Sequence, residues 1–153
     1  MNISLEQFKK EVEQLDVEMN NHFKEIPNQT KQHLKAKTGR QLIRDGIVDI
    51  EEYYKSPIRI MWVLKEPYDN KKNGGGGWAM KEILFKMVNG EKPKPQSTWH
   101  PIIYSTFGIL NNFRKLETMP RIGNDKTVAA VLKQIAFINV QKLPATTVTI
   151  DKE

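Results

Sequence analysis

The sequence predicts an α/β fold, a three-layer α/β/α sandwich with a mostly parallel sheet that is incomplete at the C-terminus. Two short apolar segments, Ile60–Leu64 and Ala136–Val140, have the residue types of buried strands. Helical periodicity between them predicts strands that alternate with helices, as in doubly wound folds. Because two strands are few for a sheet, we expect this chain to be a fragment of a longer protein, unless Val148–Ile150 adds an edge strand.

Length and composition predict one soluble domain. The 153 residues suit a single core, with residues 1–57 as a helical N-terminal part and residues 58–153 as the α/β core. No apolar run has the length of a membrane span, and the N-terminus lacks the pattern of a signal peptide, so we expect a cytoplasmic protein with no membrane partner. The chain has no cysteine, and its three histidines lack ligand spacing, so we expect neither metal nor cofactor.

The positive charge lies in the predicted α/β core. Residues 1–57 hold nine Lys or Arg against ten Asp or Glu, whereas residues 58–153 hold fifteen against eight. This distribution is what a protein that binds a phosphate backbone would have. A soluble basic protein without such a partner would have it as well.

Periodicity and end signals predict the helices. Ser4 and Gln7 form a potential capping box, and the apolar residues after them recur every three or four positions up to Pro27. A polar helix is expected over Gln29–Lys37, and Arg44–Asp49 is expected to be a turn that leads to a short extended or helical connection. Three later helices are predicted: Trp78–Val88 before Gly90, Pro101 to about Leu116 with Phe107 and Phe113 on its core face, and Asn124 or Asp125 to about Ile135.

The end of the first predicted strand is the best site candidate. Pro67 cannot donate to a strand ladder, so the chain leaves the sheet at Lys65–Asp69. Ligands of open α/β sheets bind at the carboxyl ends of strands, and this exit places Glu66, Tyr68 and Asp69 there. An ordinary strand exit with a solvated Glu66 is the alternative.

The segment from Asn70 to Gly77 contains two lysines and four consecutive glycines. Such a run is expected to be mobile unless a ligand or partner fixes it. It is not a P-loop, because Trp78 follows the glycines. Backbone N–H groups of Gly74 and Gly75 beside Lys71 and Lys72 could cradle a phosphate; the alternative is a flexible connection.

Asn139 is the second candidate site residue. A carboxamide inside an apolar strand is costly unless its polar atoms are hydrogen-bonded. It either bonds a neighbouring loop or, at the carboxyl end of its strand, recognises the N–H and C=O groups of a pyrimidine.

Together the two strand ends resemble the uracil-DNA glycosylase superfamily. Its motif Gly-Gln-Asp-Pro-Tyr-His is matched in part by Leu64-Lys65-Glu66-Pro67-Tyr68-Asp69, and its apolar strand ending in Asn is matched by Phe137-Ile138-Asn139. The resemblance implies that Glu66 activates the attacking water, that Tyr68 excludes thymine, that Asn139 recognises uracil, and that Pro67 and Asp69 also line the substrate site. It implies a three-layer sandwich fold, DNA repair activity and DNA or a nucleobase as partner.

Two departures and two alternatives accompany this resemblance. Asp69 stands where the family motif has His, and no His follows Asn139, where the family carries a His-Pro-Ser-type loop. The chain could therefore be inactive as it stands. The alternatives are a nucleotide- or phosphate-binding module without catalysis and a structural domain whose open sheet edge another chain completes.

Overall fold

The structure is a computed structural model that describes residues 3–25, 41–69, 75–90 and 97–144. Helices and short strands alternate in the described residues, which agrees with the predicted α/β class. The elements in chain order are α1 (Leu5–Glu25), β1 (Gly46–Ile47), α2 (Ile50–Lys55), β2 (Ile60–Leu64), α3 (Met80–Val88), a 3-10 turn (Ser97–Trp99), α4 (His100–Leu110), a 3-10 turn (Leu116–Thr118), α5 (Lys126–Ala130), a 3-10 turn (Val131–Gln134) and β3 (Ile135–Asn139).

The described strands form one mixed sheet in the order β1-β3-β2. β1 pairs antiparallel with β3, with Gly46 opposite Phe137 and Ile47 opposite Ala136. Since the sheet is mixed, β2 runs parallel to β3. The two strands expected from their apolar residues are thus confirmed, whereas β1 was not predicted.

The chain divides into two compact units. The first, called here the strand-tip unit, comprises Met1–Arg44, Val63–Trp78 and Asn139–Glu153. The second, called the helical unit, comprises Asp45–Trp62 and Ala79–Ile138. The prediction of a single domain over the whole chain stays a prediction. No described helix has both the length and the apolar character of a membrane span.

Helix α1 begins as predicted. The backbone N–H of Gln7 donates to Oγ of Ser4 at 3.2 Å, so Ser4 caps the first turn. The Gln7 side chain does not return to the cap as a capping box requires, because its Nε2 donates to Glu11 one turn later at 3.2 Å. The helix predicted over Gln29–Lys37 and the edge strand predicted at Val148–Ile150 lie outside the described residues.

The helical unit has an apolar core. The side chains of Leu84, Ile103, Val128, Leu132 and Ile135 are completely buried. Asp125 caps α5 through the N–H of Thr127, as predicted. The predicted helix does not continue to Ile135, because the chain tightens into a 3-10 turn at Val131 and then enters β3.

Helix α4 is shorter than predicted. It ends at Leu110 instead of Leu116, because Asn112 and Phe113 both have φ of 56° and turn the chain out of the helix. Phe107 is buried, as its place on the core face predicted. Phe113 is 78% exposed, so its assignment to that face was wrong.

The apolar run predicted that β2 is buried on both faces, and this prediction was wrong. Ile60, Trp62 and Leu64 are partly buried, whereas Met61 and Val63 are exposed. The strand therefore alternates between a packed face and an exposed face, which is typical of strands with one open side.

Candidate functional site

The carboxyl ends of β2 and β3 are directly hydrogen-bonded in the strand-tip unit. The N–H of Val140 donates to the carbonyl of Leu64 at 2.8 Å, and that of Gln141 donates to Lys65 at 2.9 Å. Glu66 directly follows Lys65 after the end of β2, and Asn139 directly precedes Val140 at the end of β3. The register therefore places the two residues that the sequence singled out at the ends of neighbouring strands.

Asn139 is 1% exposed, so the predicted strand Asn is indeed buried. Its Oδ1 atom accepts no hydrogen bond from the residues that the structure describes, although the residue itself does engage a partner. Burial of a carboxamide removes its rotational freedom and fixes the direction of its N–H and C=O groups. Such a group can discriminate between ligand edges that differ in donors and acceptors.

The side chain of Glu66 is 28% exposed, and Nζ of Lys65 lies 3.9 Å from its Oε1. Lys65 itself is solvent-exposed, so this ion pair is screened and contributes little stability. A carboxylate in this position keeps access to water and to a ligand. It can orient a water molecule or stabilise positive charge that develops nearby.

Pro67 and Tyr68 follow Glu66 where the chain leaves β2. Pro67 is buried and fixes its own φ, which makes the exit from β2 stiff. Tyr68 is 55% exposed, so part of its ring is open to solvent and available for stacking. Tyr68 also interacts with another group of the protein.

Asp69 anchors the glycine segment. Its Oδ2 accepts one hydrogen bond from the backbone N–H of Gly76 at 3.0 Å and another from Nε1 of Trp78 at 2.8 Å. We call these three residues the Asp69 clasp. Because its Oδ2 accepts two hydrogen bonds, Asp69 has a structural role. The sequence predicted only a substrate contact for this residue. The substrate contact itself stays a prediction.

The described end of the glycine run, Gly75–Gly77, is hydrogen-bonded to another segment of the chain. The N–H of Gln41 donates to Gly75 at 2.9 Å, Gly77 donates to Leu42 at 3.1 Å, and Arg44 donates to Trp78 at 3.1 Å. Residues 41–44 also bond to the segment after β3, through the N–H of Ile43 and the carbonyl of Lys142 at 2.9 Å. The chain itself therefore supplies the contacts that order Gly75–Gly77.

This arrangement disfavours a phosphate at Gly75. A Cβ on Gly75 would lie 2.5 Å from Cγ of Asp69, so a carboxylate already occupies the space beside this residue. An anion bound there would be repelled by Asp69. Lys71, Lys72 and Gly74, the other predicted phosphate contacts, lie outside the described residues.

Two features of the molecule were missed from the sequence. The extended segment 41–44 gave no strand signal beyond the apolar pair Leu42 and Ile43. An open groove between α4 and the segment 113–119 was not anticipated either. Within the described residues, no three His, Asp or Glu side chains converge in a way that could hold a metal ion.

Comparisons with protein-family models, curated proteins and solved structures found no match to this chain. The function must therefore be argued from the chemistry and geometry of the site.

Proposed function

We propose that this chain is a uracil-DNA glycosylase-like hydrolase, which flips a uracil out of DNA and cleaves its N-glycosidic bond at the ends of β2 and β3. The observation that carries the proposal is the register between Leu64–Lys65 and Val140–Gln141, because it sets the carboxyl end of β2, which Glu66 follows, beside the carboxyl end of β3, where Asn139 lies, at one edge of the sheet. In open α/β sheets this edge is where ligands bind.

Glu66 is the residue proposed for the chemical step. Cleavage of the bond between C1′ and N1 builds positive, oxocarbenium-like charge on the sugar, which a nearby carboxylate stabilises. Water then adds to C1′ and gives its proton to the carboxylate, and the base leaves with the electron pair of the broken bond. The partial exposure of Glu66 supports this role, since the group must reach both water and substrate.

Asn139 and Tyr68 are proposed to select the base. The buried carboxamide of Asn139 can accept from N3–H of uracil through its oxygen and donate to a uracil carbonyl through its NH₂ group. The open side of the Tyr68 ring gives a surface beside the base, where a C5 methyl would collide. Flipped bases are typically held in this way, by an aromatic face and by hydrogen bonds to the base edge.

The proposal extends to the fold and to the surface charge. A three-layer sandwich with a mostly parallel sheet would need further strands and a helical layer over the open face of β2. The excess of fifteen Lys or Arg over eight Asp or Glu in residues 58–153 supports contact with DNA phosphates.

The test uses the full chain and a labelled single-stranded oligonucleotide that contains one deoxyuridine. Release of uracil leaves an abasic site, which alkali converts into a shorter strand on a gel. Glu66→Gln should reduce the rate by about 100-fold or more, because general acid–base groups typically contribute that much. Glu117→Gln, which neutralises an exposed carboxylate in the helical unit, is the matched control and should leave the rate unchanged.

Two further substrates make the assay decisive. An oligonucleotide with thymine in place of uracil should not be cleaved, and a Tyr68→Ala variant should gain activity on it. If the wild-type chain releases no uracil, or if Glu66→Gln releases it at the wild-type rate, the proposal is wrong.

A further inference from the structure

The helical unit contains an open groove of about 710 Å³, and none of the described residues of the strand-tip unit lines it. One side of the groove, called its floor, is a face of α4 whose lining residues are spaced four apart. The other side, called its wall, is the segment 113–119 after α4. The lining residues are Ser97, His100, Pro101, Tyr104, Ser105, Gly108, Ile109, Phe113, Arg114, Leu116 and Met119. A volume of this size is in the range of small-molecule sites.

Gly108 determines how closely the wall approaches the floor. A Cβ at this position would lie 2.8 Å from Cε of Met119 and 3.2 Å from the carbonyl oxygen of Arg114. The N–H of Arg114 donates to the Gly108 carbonyl at 3.1 Å, which fixes the wall to the helix. The groove is therefore built by specific contacts.

The wall turns through two residues in an unfavourable conformation. Asn112 and Phe113 both have φ of 56°, which costs about 1 kcal/mol or more for each side chain. The turn keeps the Phe113 ring at the edge of the groove, 78% exposed. An aromatic ring held in water by a strained turn is suited to close over an apolar ligand.

Two polar side chains of the groove can donate hydrogen bonds to a ligand, Arg114 and Tyr104. Arg114 donates to the carbonyl and the hydroxyl of Thr118, at 2.6 Å and 3.3 Å, and keeps three of its five N–H groups for a ligand. It pairs with no carboxylate of the described residues. The hydroxyl of Tyr104 accepts the N–H of Ile122 at 3.1 Å, so its own hydrogen can be donated.

We propose that this groove binds a small organic anion, a molecule with an apolar ring or short chain and one carboxylate. The apolar body lies on the α4 face between Tyr104 and Ile109, under the Phe113 ring. The carboxylate accepts from Arg114, whose charge has no counterpart in the described part of the groove. This site is independent of the glycosylase proposal and shares no residue with it.

The experiment titrates 2-naphthoate into the full chain and follows the methyl signals of Ile109, Leu116 and Met119 by NMR. These three signals should shift together along one binding curve. Arg114→Gln should weaken 2-naphthoate binding about tenfold, because a charge-assisted hydrogen bond is lost. It should leave the weaker binding of neutral 2-naphthamide unchanged, so the two ligands separate charge recognition from a general disturbance of the groove.

Three variants complete the design, each checked for folding by circular dichroism. Ser105→Phe places a ring on the exposed floor and should abolish binding, whereas Ser105→Ala should not. Lys115→Gln removes the neighbouring exposed charge, which does not line the groove, and should leave the affinity unchanged. The proposal is overturned if the three methyl signals do not respond, if Ser105→Phe still binds, or if Arg114→Gln affects both ligands equally.

Discussion

The indole N–H of Trp78 donates a 2.8 Å hydrogen bond to Oδ2 of Asp69, and the same oxygen accepts the N–H of Gly76. Because Asp69 directly follows Tyr68, this clasp holds the segment that carries the aromatic ring of the candidate site. Hydrogen bonds to a charged acceptor are stronger than those between neutral groups.

The first prediction concerns the Asp69 clasp. Asp69→Ala should lower the free energy of unfolding by about 2 kcal/mol or more, since both donors lose their acceptor. Trp78→Phe, which removes one of the two bonds, should cost about 1 kcal/mol. Urea unfolding followed by circular dichroism measures both values. A wild-type midpoint for Asp69→Ala would show that the clasp does not stabilise the fold.

The second prediction separates close packing from backbone strain at the glycines. Gly76 has φ of 91°, and a Cβ there would collide with the carbonyl oxygen of Gln41. Gly76→Ala should therefore lower the free energy of unfolding by about 3 kcal/mol or more, because strain and a backbone collision act together. The measurement is again urea unfolding.

Two other glycines are the controls. Gly90 has φ of 82°, and a Cβ added there would have no atom of the described residues within 4 Å, so Gly90→Ala carries the strain alone and should cost about 1 kcal/mol. Gly123 has neither a positive φ nor a close neighbour, and Gly123→Ala should be nearly neutral. Equal losses at Gly76 and Gly90 would mean that the approach of Gln41 is unimportant.

The strand tips could be predicted because the signals are local. Five apolar residues followed by Pro67 define the end of β2, and one polar residue in an apolar run identifies Asn139. The sequence could not give the hydrogen bonds of residues 41–44, because they depend on pairing with Gly75–Trp78 and Lys142, far along the chain. The two-residue strand β1 likewise forms only by pairing with β3.

The end of α4 could not be predicted from the sequence for a different reason. Helices commonly end at a Gly with positive φ, as α3 does before Gly90, and that end was predicted. After α4 the positive φ values fall on Asn112 and Phe113 instead. Phe rarely adopts this conformation, so the sequence favoured a longer helix with Phe113 inside it.

The third prediction concerns a buried hydrogen bond in the helical unit. Nε1 of Trp62 donates to Oγ1 of Thr106 at 3.0 Å, and Thr106 is completely buried. Thr106→Val removes the acceptor and should cost about 1 to 3 kcal/mol in urea unfolding, because the indole N–H is left without it. Thr106→Ser keeps the hydroxyl and should cost less. In a double-mutant cycle with Trp62→Phe, the two losses should be less than additive.

The fourth prediction concerns pH. Hydrogen bonds from the hydroxyl and then the N–H of Thr127 lower the pKa of Asp125 from its ordinary value of 3.8. A lowered pKa means that the cap of α5 stabilises fully at neutral pH, begins to weaken as the pH falls past the unfolded value, and is lost below the folded value. Asp125→Asn keeps a capping oxygen that does not titrate.

Urea midpoints at about pH 6 and about pH 2.5 test this expectation. The wild-type chain should lose more stability than Asp125→Asn over this interval, because only the wild type protonates its cap. All other carboxylates titrate in both proteins and cancel in the comparison. Parallel losses would show that Asp125 does not contribute to the acid sensitivity.

The last prediction concerns the open face of the sheet in the strand-tip unit. Val63 is 61% exposed and Val140 is 75% exposed. Val63→Thr and Val140→Thr keep the β-branched shape that strands favour and add a hydroxyl. If this face is open to water in solution, each variant should change the free energy of unfolding by less than about 0.5 kcal/mol.

A covering layer would give the opposite result. In the proposed three-layer sandwich a helix would bury both valines, and a buried hydroxyl without a hydrogen bond costs about 1 to 3 kcal/mol. Leu84→Ala, in the core of the helical unit, calibrates the scale with an expected loss of about 2 to 5 kcal/mol. Small losses at both valines, together with a large loss at Leu84, would show that this sheet face is exposed to water.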